Sequence, residues 1–190
     1  QAWNNLASNP VDNAQKVSLA QSMKTLAFDI SNTRDAVGRI QTSLNSQLKS
    51  NVNDINNMAR DIAEINKKIS AAESNGVTQA NDLRDKRDQL ELTLSKLMNI
   101  QVFKHDLTSN NNVNTRLTDS GQDYHLNMAG WTIVDGSTYH PIKIDNNNNE
   151  NGFYSIYYEV QDHKQYEITD EITGGKLGAM LELRGGSIDH

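Results

Sequence analysis

The sequence predicts an α+β fold: a long-helix antiparallel hairpin, or bundle, forming a rod domain, followed by a mostly antiparallel β domain. Three observations carry this reading. An apolar seam keeps one helical register from about Val17 to Ala72, and a second, shorter seam follows a turn at Asn75-Gly76. Near residue 100 the apolar period and the composition both change.

The long helix comes first. Read as heptads, Met23, Ile30, Val37, Leu44, Met58, Ile65 and Ala72 share one position, and Ala27, Leu48, Ile55, Ile62 and Ile69 share its partner. That spacing gathers them on one stripe of an α-helix. No proline interrupts the run, and Gly38 is the one glycine inside it. The register passes through polar residues at Arg34, Gln41 and Asn51, with Val52 filling in beside Asn51. Asn9 is a candidate cap, Pro10 suits a first helical position, and Asp12 in the first turn favours the helix dipole. The expected helix, from about Asp12 to Ala72, is roughly 90 Å long. Upstream, Trp3 and Leu6 suit a short turn of their own.

Asn75 and Gly76 can take the left-handed conformation that ends helices, and Thr78 is the next cap candidate. Ala80, Leu83, Arg87, Leu90, Leu94 and Leu97 then form the second seam. So short a connection folds the two helices back as an antiparallel hairpin. The charged run from Asp82 to Asp88 offers four-apart pairs, Arg84 with Asp88 and Asp82 with Lys86, on a solvated face. Arg87 falls on the apolar seam, where its stem can pack while its head reaches an acid. The second helix is about a third as long as the first, roughly 30 Å, so it covers only the stretch around Val52 to Ile69. Leu19, Met23, Ile30, Val37, Leu44 and Leu48 are left without a partner. This is the expected packing seam for a missing helix or a neighbouring subunit. The hairpin is local in sequence, so it is expected to stand without the β region.

Residues 1–99 hold 12 Lys and Arg against 11 Asp and Glu; residues 100–190 hold 6 against 13. Nine of the 11 glycines, nine of the 11 aromatics and all five histidines also lie after residue 100, a composition that favours strands and turns. The expected division is a helical rod domain over 1–99, an outward β domain over 100–173, and a short helix over 174–190. Strands are expected at Ile100 to Phe103, Val113 to Leu117, Tyr124 to Met128, Trp131 to Val134, Ile142 to Ile144, Tyr154 to Val160 and Tyr166 to Ile172. Gly121, Gly130, Gly136 and Gly152 punctuate them. Gly174-Gly175 opens the last helix, which runs through Leu177, Met180, Leu181 and Leu183 and stops at Gly185-Gly186.

Chemistry is scarce. The chain has no cysteine, so disulfides and thiolate metal sites are excluded. A net charge of −6 argues against nucleic acid, which needs clustered Lys and Arg. Neither a membrane span nor a cleavable signal pattern is present, and Gln1 in place of Met suggests a piece of a longer protein. The loop Asp145-Asn146-Asn147-Asn148-Asn149-Glu150 has oxygen ligands at alternate positions. It has Glu150 where a calcium loop needs glycine, and Ile156 where it needs a bidentate Glu. His105, His125, His140, His163 and His190 show no metal-ligand spacing. An enzyme reading would rest on acids such as Asp119 and Asp123, and their spacing gives no pair with separated environments. No cofactor is implied. No enzyme activity is expected.

Three ordered motifs remain. Trp3-Asn4-Asn5-Leu6-Ala7-Ser8-Asn9-Pro10 opens the chain. Ala80-Asn81-Asp82-Leu83-Arg84-Asp85-Lys86-Arg87-Asp88-Gln89-Leu90 precedes Leu94-Ser95-Lys96-Leu97 and the strand at Ile100–Phe103. Gly174-Gly175-Lys176-Leu177-Gly178-Ala179-Met180-Leu181-Glu182-Leu183-Arg184 closes the chain. Together they resemble the flagellar hook-associated protein 1 family, the hook–filament junction proteins, whereas the region from 104 to 170 departs from the family pattern. The resemblance implies a non-enzymatic axial component of the bacterial flagellum, exported through the flagellar secretion channel and working outside the cell. It implies packing against copies of itself, the hook protein and a second junction protein, with no membrane insertion. The terminal helices that complete the tube would lie outside this chain, which is expected to stay mainly monomeric when isolated. A coiled-coil adaptor or surface adhesin would share the long helix but not the three motifs.

Overall fold

The computed structural model describes residues 2–8, 11–74, 80–104, 124–147, 152–160 and 163–185. The chain forms two compact units, Gln1–Ser43 and Leu44–His190. Helix α2, Asn13–Ala72, contributes to both.

The first unit holds helix α1, Ala2–Ser8, and the N-terminal part of α2. Asp12 caps α2 and does not sit in its first turn: its Oδ1 accepts from Ala14 N at 2.8 Å, and its carbonyl accepts from Lys16 N at 3.2 Å. A carboxylate beside the orphan N–H groups of the first turn is a favoured arrangement. Asn9 and Pro10 lie outside the described residues. Gly38 sits in the helix with open space around it, and a Cβ there would meet nothing within 4 Å. Gly38→Ala should therefore strengthen the local helix by about 0.5–1 kcal/mol. Slower amide exchange between residues 34 and 42 is the expected readout; faster exchange would contradict it.

The second unit is built on the rest of α2. Helix α3, Asn81–Leu97, runs antiparallel to it. Glu73 accepts from Arg84 Nη2 at 2.7 Å and from the N–H of Ala80 at 2.8 Å, which joins the helix ends across the turn. Deeper along the pair, Arg87 Nη1 donates to Asn66 Oδ1 at 2.9 Å. Asp88 takes Lys104 at 2.8 Å, so Arg84 and Asp88 both have partners beyond the helix they share. Gly76 and Thr78 lie outside the described residues.

Two antiparallel sheets follow. One has the order β1-β2-β3-β4, from Ile100–Lys104, Tyr124–Met128, Trp131–Asp135 and Thr138–Tyr139. The other has the order β5-β6-β7, from Ile142–Asp145, Ser155–Glu159 and Gln165–Glu167. The β2–β3 turn places Ala129 (φ 49°) and Gly130 (φ 80°) both at positive φ, the geometry of a two-residue type I′ hairpin. The strand expected over Tyr166 to Ile172 stops early. Ile168 turns into the core, Thr169 Oγ1 accepts from Ile156 N at 2.8 Å, and Thr169–Glu171 winds into a 3-10 turn. The strand expected at Val113 to Leu117 lies outside the described residues. Helix α4, Gly175–Gly185, ends the described chain.

One core joins these elements. Leu48, Val52, Ile55 and Ile62 of α2 and Leu94 of α3 share it with Tyr124, Leu126, Ile133, Val134, Ile142, Ile156 and Leu177. The change near residue 100 thus marks where helix gives way to strand, but the apolar contacts cross it freely. Each fully buried aliphatic side chain contributes about 1.5–3 kcal/mol, so the β region is a main source of the helices' stability.

A row of asparagines fixes α2 to the β region. Asn45 Oδ1 accepts from Tyr154 N at 2.9 Å while its Nδ2 donates to Gly152 O at 3.1 Å. Asn56 exchanges both of its bonds with the backbone of Ile142, each at 2.9 Å. Asn66, fully buried, donates to Gly136 O at 2.8 Å and holds Arg87 with its oxygen. Their spacing of ten or eleven residues, three helical turns, keeps all three amides on one side of α2.

Candidate assembly interface

The predicted seam divides into two parts. Met23 is 59% exposed, Ile30 61% and Val37 44%, while Leu19 is half-buried. Leu44 and Leu48 depart from the expectation: Leu48 is fully buried and Leu44 packs against the same core. Beside them Asn45 bonds Gly152, Tyr154 and Arg184, and Asn51 meets Met180, residues more than 90 positions away that the length comparison between the two helices left out. Leu26 and Ile40 are exposed beside the remaining stripe, and Val17 and Phe28 are exposed on the far side of the same helix. Heptad reading missed Leu26, Phe28 and Ile40 because they fall outside the two repeated positions, and Val17, with which the seam was expected to open, stands off it.

The polar residues bordering the stripe are locally satisfied. Ser22 Oγ donates to Ser18 O at 2.9 Å and Thr33 Oγ1 to Asp29 O at 2.8 Å. Hydroxyls that bond back one turn present little unmet polarity. The surface from residue 19 to residue 40 is therefore an apolar band interrupted by Arg34 and bordered by the locally bonded hydroxyls of Ser22 and Thr33, suited to another helix.

In the second unit the polar clusters act as clamps. The Arg87 guanidinium lies 4.8 Å over the Tyr124 ring, and its Nε is 3.6 Å from Glu91 Oε1. Burial, with the Glu91 carboxylate beside it, pushes the Tyr124 phenol well above its ordinary range, so the ring is neutral throughout the physiological pH range. Arg184, also buried, donates to Tyr154 O at 2.6 Å and stacks over Phe153 at 5.2 Å. Asp145 accepts from Asn147 N at 3.1 Å and from its Nδ2 at 2.9 Å, so this carboxylate caps its own turn. His125 lies 3.1 Å from Asp135 and His163 2.7 Å from Glu159, each as an exposed pair. Asp119, Asp123, His105, His190 and Asn148 to Glu150 lie outside the described residues. Among the described residues, no helix is long and apolar enough to cross a membrane.

An α+β chain whose prominent exposed feature is a bare helix stripe, and whose buried charges brace the fold, has the character of a structural domain. Residues 1–190 match the model of the flagellar hook-associated protein FlgK helical domain, and the chain belongs to that family of structural flagellar proteins. It is 28% identical over 188 residues to flagellar hook-associated protein 1 of Salmonella typhimurium, covering 97% of this chain and 32% of that protein. The Escherichia coli K12 protein of the same name is 26% identical over 188 residues, with 97% and 32% covered. The Bacillus subtilis one is 25% identical over 158 residues, with 80% and 31% covered. This chain thus spans about a third of the length of the relatives it matches. The flagellar hook junction protein FlgK of Burkholderia pseudomallei shares the fold with a TM-score of 0.74 at 24% identity, over 96% of this chain and 31% of that one.

Proposed function

We propose that this chain is part of an axial component of the bacterial flagellum that joins hook to filament, and that the α2 stripe is the surface through which it assembles. The observation that carries the reading is the exposure of Met23, Ile30 and Val37 on an unbroken helix. Three such side chains left in water forgo several kcal/mol of burial, about 1.5–3 kcal/mol each, which a partner helix recovers. The occupant is a helix of the full-length protein beyond this chain, together with neighbouring copies. The hook protein and a second junction protein lie at either end, and the β region projects outward. The protein is exported through the flagellar secretion channel, works outside the cell and catalyses no reaction. The isolated chain stays mainly monomeric until those partners are supplied.

Met23→Glu and Ile30→Glu test this. In the 190-residue chain each should change stability by no more than about 0.5 kcal/mol, the usual range for exposed positions. In the full-length protein the same changes should abolish filament retention and motility, with filament subunits released into the medium. Full motility of both variants, or a large loss of stability in the chain itself, would sink the proposal.

A further inference from the structure

Sulfur in this chain is carried by five methionines, since cysteine is absent. Four of the thioethers are sheltered. Met98, Met128 and Met180 are 0%, 2% and 5% exposed, and Met58 packs half-buried against the same core. Met23 differs: it stands 59% exposed on the α2 stripe. A thioether is oxidised according to its access to solvent, so one methionine of the five is open to a peroxide.

The surroundings of Met23 decide what oxidation does there. One turn away on its own face lie Leu19, Ala20, Leu26 and Ala27, whose side chains have no hydrogen-bond donor. The hydroxyls beside it are already committed: Ser22 Oγ donates to Ser18 O at 2.9 Å and Thr25 Oγ1 to Gln21 O at 3.1 Å. In water, solvent satisfies a sulfoxide oxygen at Met23. Under an apolar helix laid along the stripe that oxygen meets no donor from α2, and a buried, unmet acceptor opposes the contact. We propose that Met23 is an oxidation site through which peroxide reversibly blocks assembly, an inference that rests on the stripe being the assembly surface. The thioether sulfur attacks one oxygen of hydrogen peroxide; the O–O bond breaks, an S–O bond forms and water leaves. Sulfur gives up two electrons and the peroxide takes them. Reduction by a methionine sulfoxide reductase reverses the change.

Hydrogen peroxide added to the 190-residue chain, followed by peptide mass spectrometry, tests the site itself. Met23 should gain one oxygen about ten-fold or more faster than Met98, Met128 or Met180, which react only when the fold opens. Equal rates, or faster reaction at a core methionine, would overturn the proposal. The second arm measures binding of the full-length protein to isolated hooks, with peroxide added before or after binding. Treatment beforehand should raise the half-saturating concentration about ten-fold or more, and methionine sulfoxide reductase should restore it. Protein already bound should keep Met23 unoxidised. The same comparison is made with Met23→Leu, close in volume and inert to peroxide, scoring treated against untreated protein of that variant. The peroxide effect should vanish there. An equal effect in Met23→Leu, no recovery on reduction, or undiminished binding with Met23 fully oxidised would end the idea. Failure of the assembly reading looks different: Met23→Glu and Ile30→Glu then bind hooks normally, while the oxidation rates in the 190-residue chain stay as expected.

Discussion

Gly175→Val should lower the melting temperature of the chain by about 10 °C or more, a loss of roughly 3–5 kcal/mol. A Cβ at Gly175 would lie 2.5 Å from Met98 N and 2.6 Å from both Leu97 C and Met98 Cα. These are backbone atoms at the junction of α3 and β1, and they cannot swing aside as a side-chain tip can. Gly175 also has φ 68°, a conformation that costs other residues about 1–2 kcal/mol. The two effects add, because one is a clash and the other a backbone preference. Gly130→Ala separates them: its φ is 80°, but a Cβ there meets nothing within 4 Å. It should cost only the backbone share. If Gly175→Val melts within a degree or two of the parent by calorimetry, the start of α4 is not seated on α3 as described.

Replacing residues 101–172 by a short linker should abolish the cooperative melting transition and leave much less helical signal than the remaining residues contain. The deletion strips Tyr124, Leu126, Ile133, Val134, Ile142 and Ile156 from the core shared with Leu48, Val52, Ile55 and Ile62. At about 1.5–3 kcal/mol for each buried side chain, the loss is of the same size as the roughly 5–15 kcal/mol by which a domain is stable. It also removes the backbone groups of Gly152 and Tyr154 that hold Asn45 and that of Ile142 that holds Asn56. Circular dichroism during heating is the measurement. A sharp helical transition in the deletion variant would mean that α2 and α3 stand alone, as their closeness in sequence suggests.

That contrast marks how far the sequence was legible. The seam shows which side of α2 is apolar from residue 17 to residue 72, and the long helix follows from it directly. Seam periodicity carries no information about what covers the apolar side. Leu48 looks the same in the pattern as Ile30, yet one is fully buried and the other 61% exposed. The difference is made by residues more than 90 positions away. Arg87 was legible as a seam residue whose head needs a partner, and it finds Asn66 and Glu91. The asparagines were not legible in that way. Asn51 reads as a polar slip in the register, yet its Nδ2 lies 3.0 Å from Met180 Sδ and its Oδ1 3.5 Å from Lys176 Nζ. Asn45, Asn56 and Asn66 look like ordinary polar helix positions, and nothing in the seam sets them apart. Of the candidate interface, Met23, Ile30 and Val37 were readable from sequence; the end of the exposed band before Leu44 was not.

Asn56 has one further consequence. β5 is a border strand of its sheet, and a border strand offers a row of unpaired backbone groups to any other chain. At Ile142 the Asn56 amide takes both the N–H and the carbonyl, as a neighbouring strand would. Here a single side chain on α2 occupies both backbone groups of Ile142, so a second chain cannot add to β5 at that point and amyloid-like stacking there is blocked.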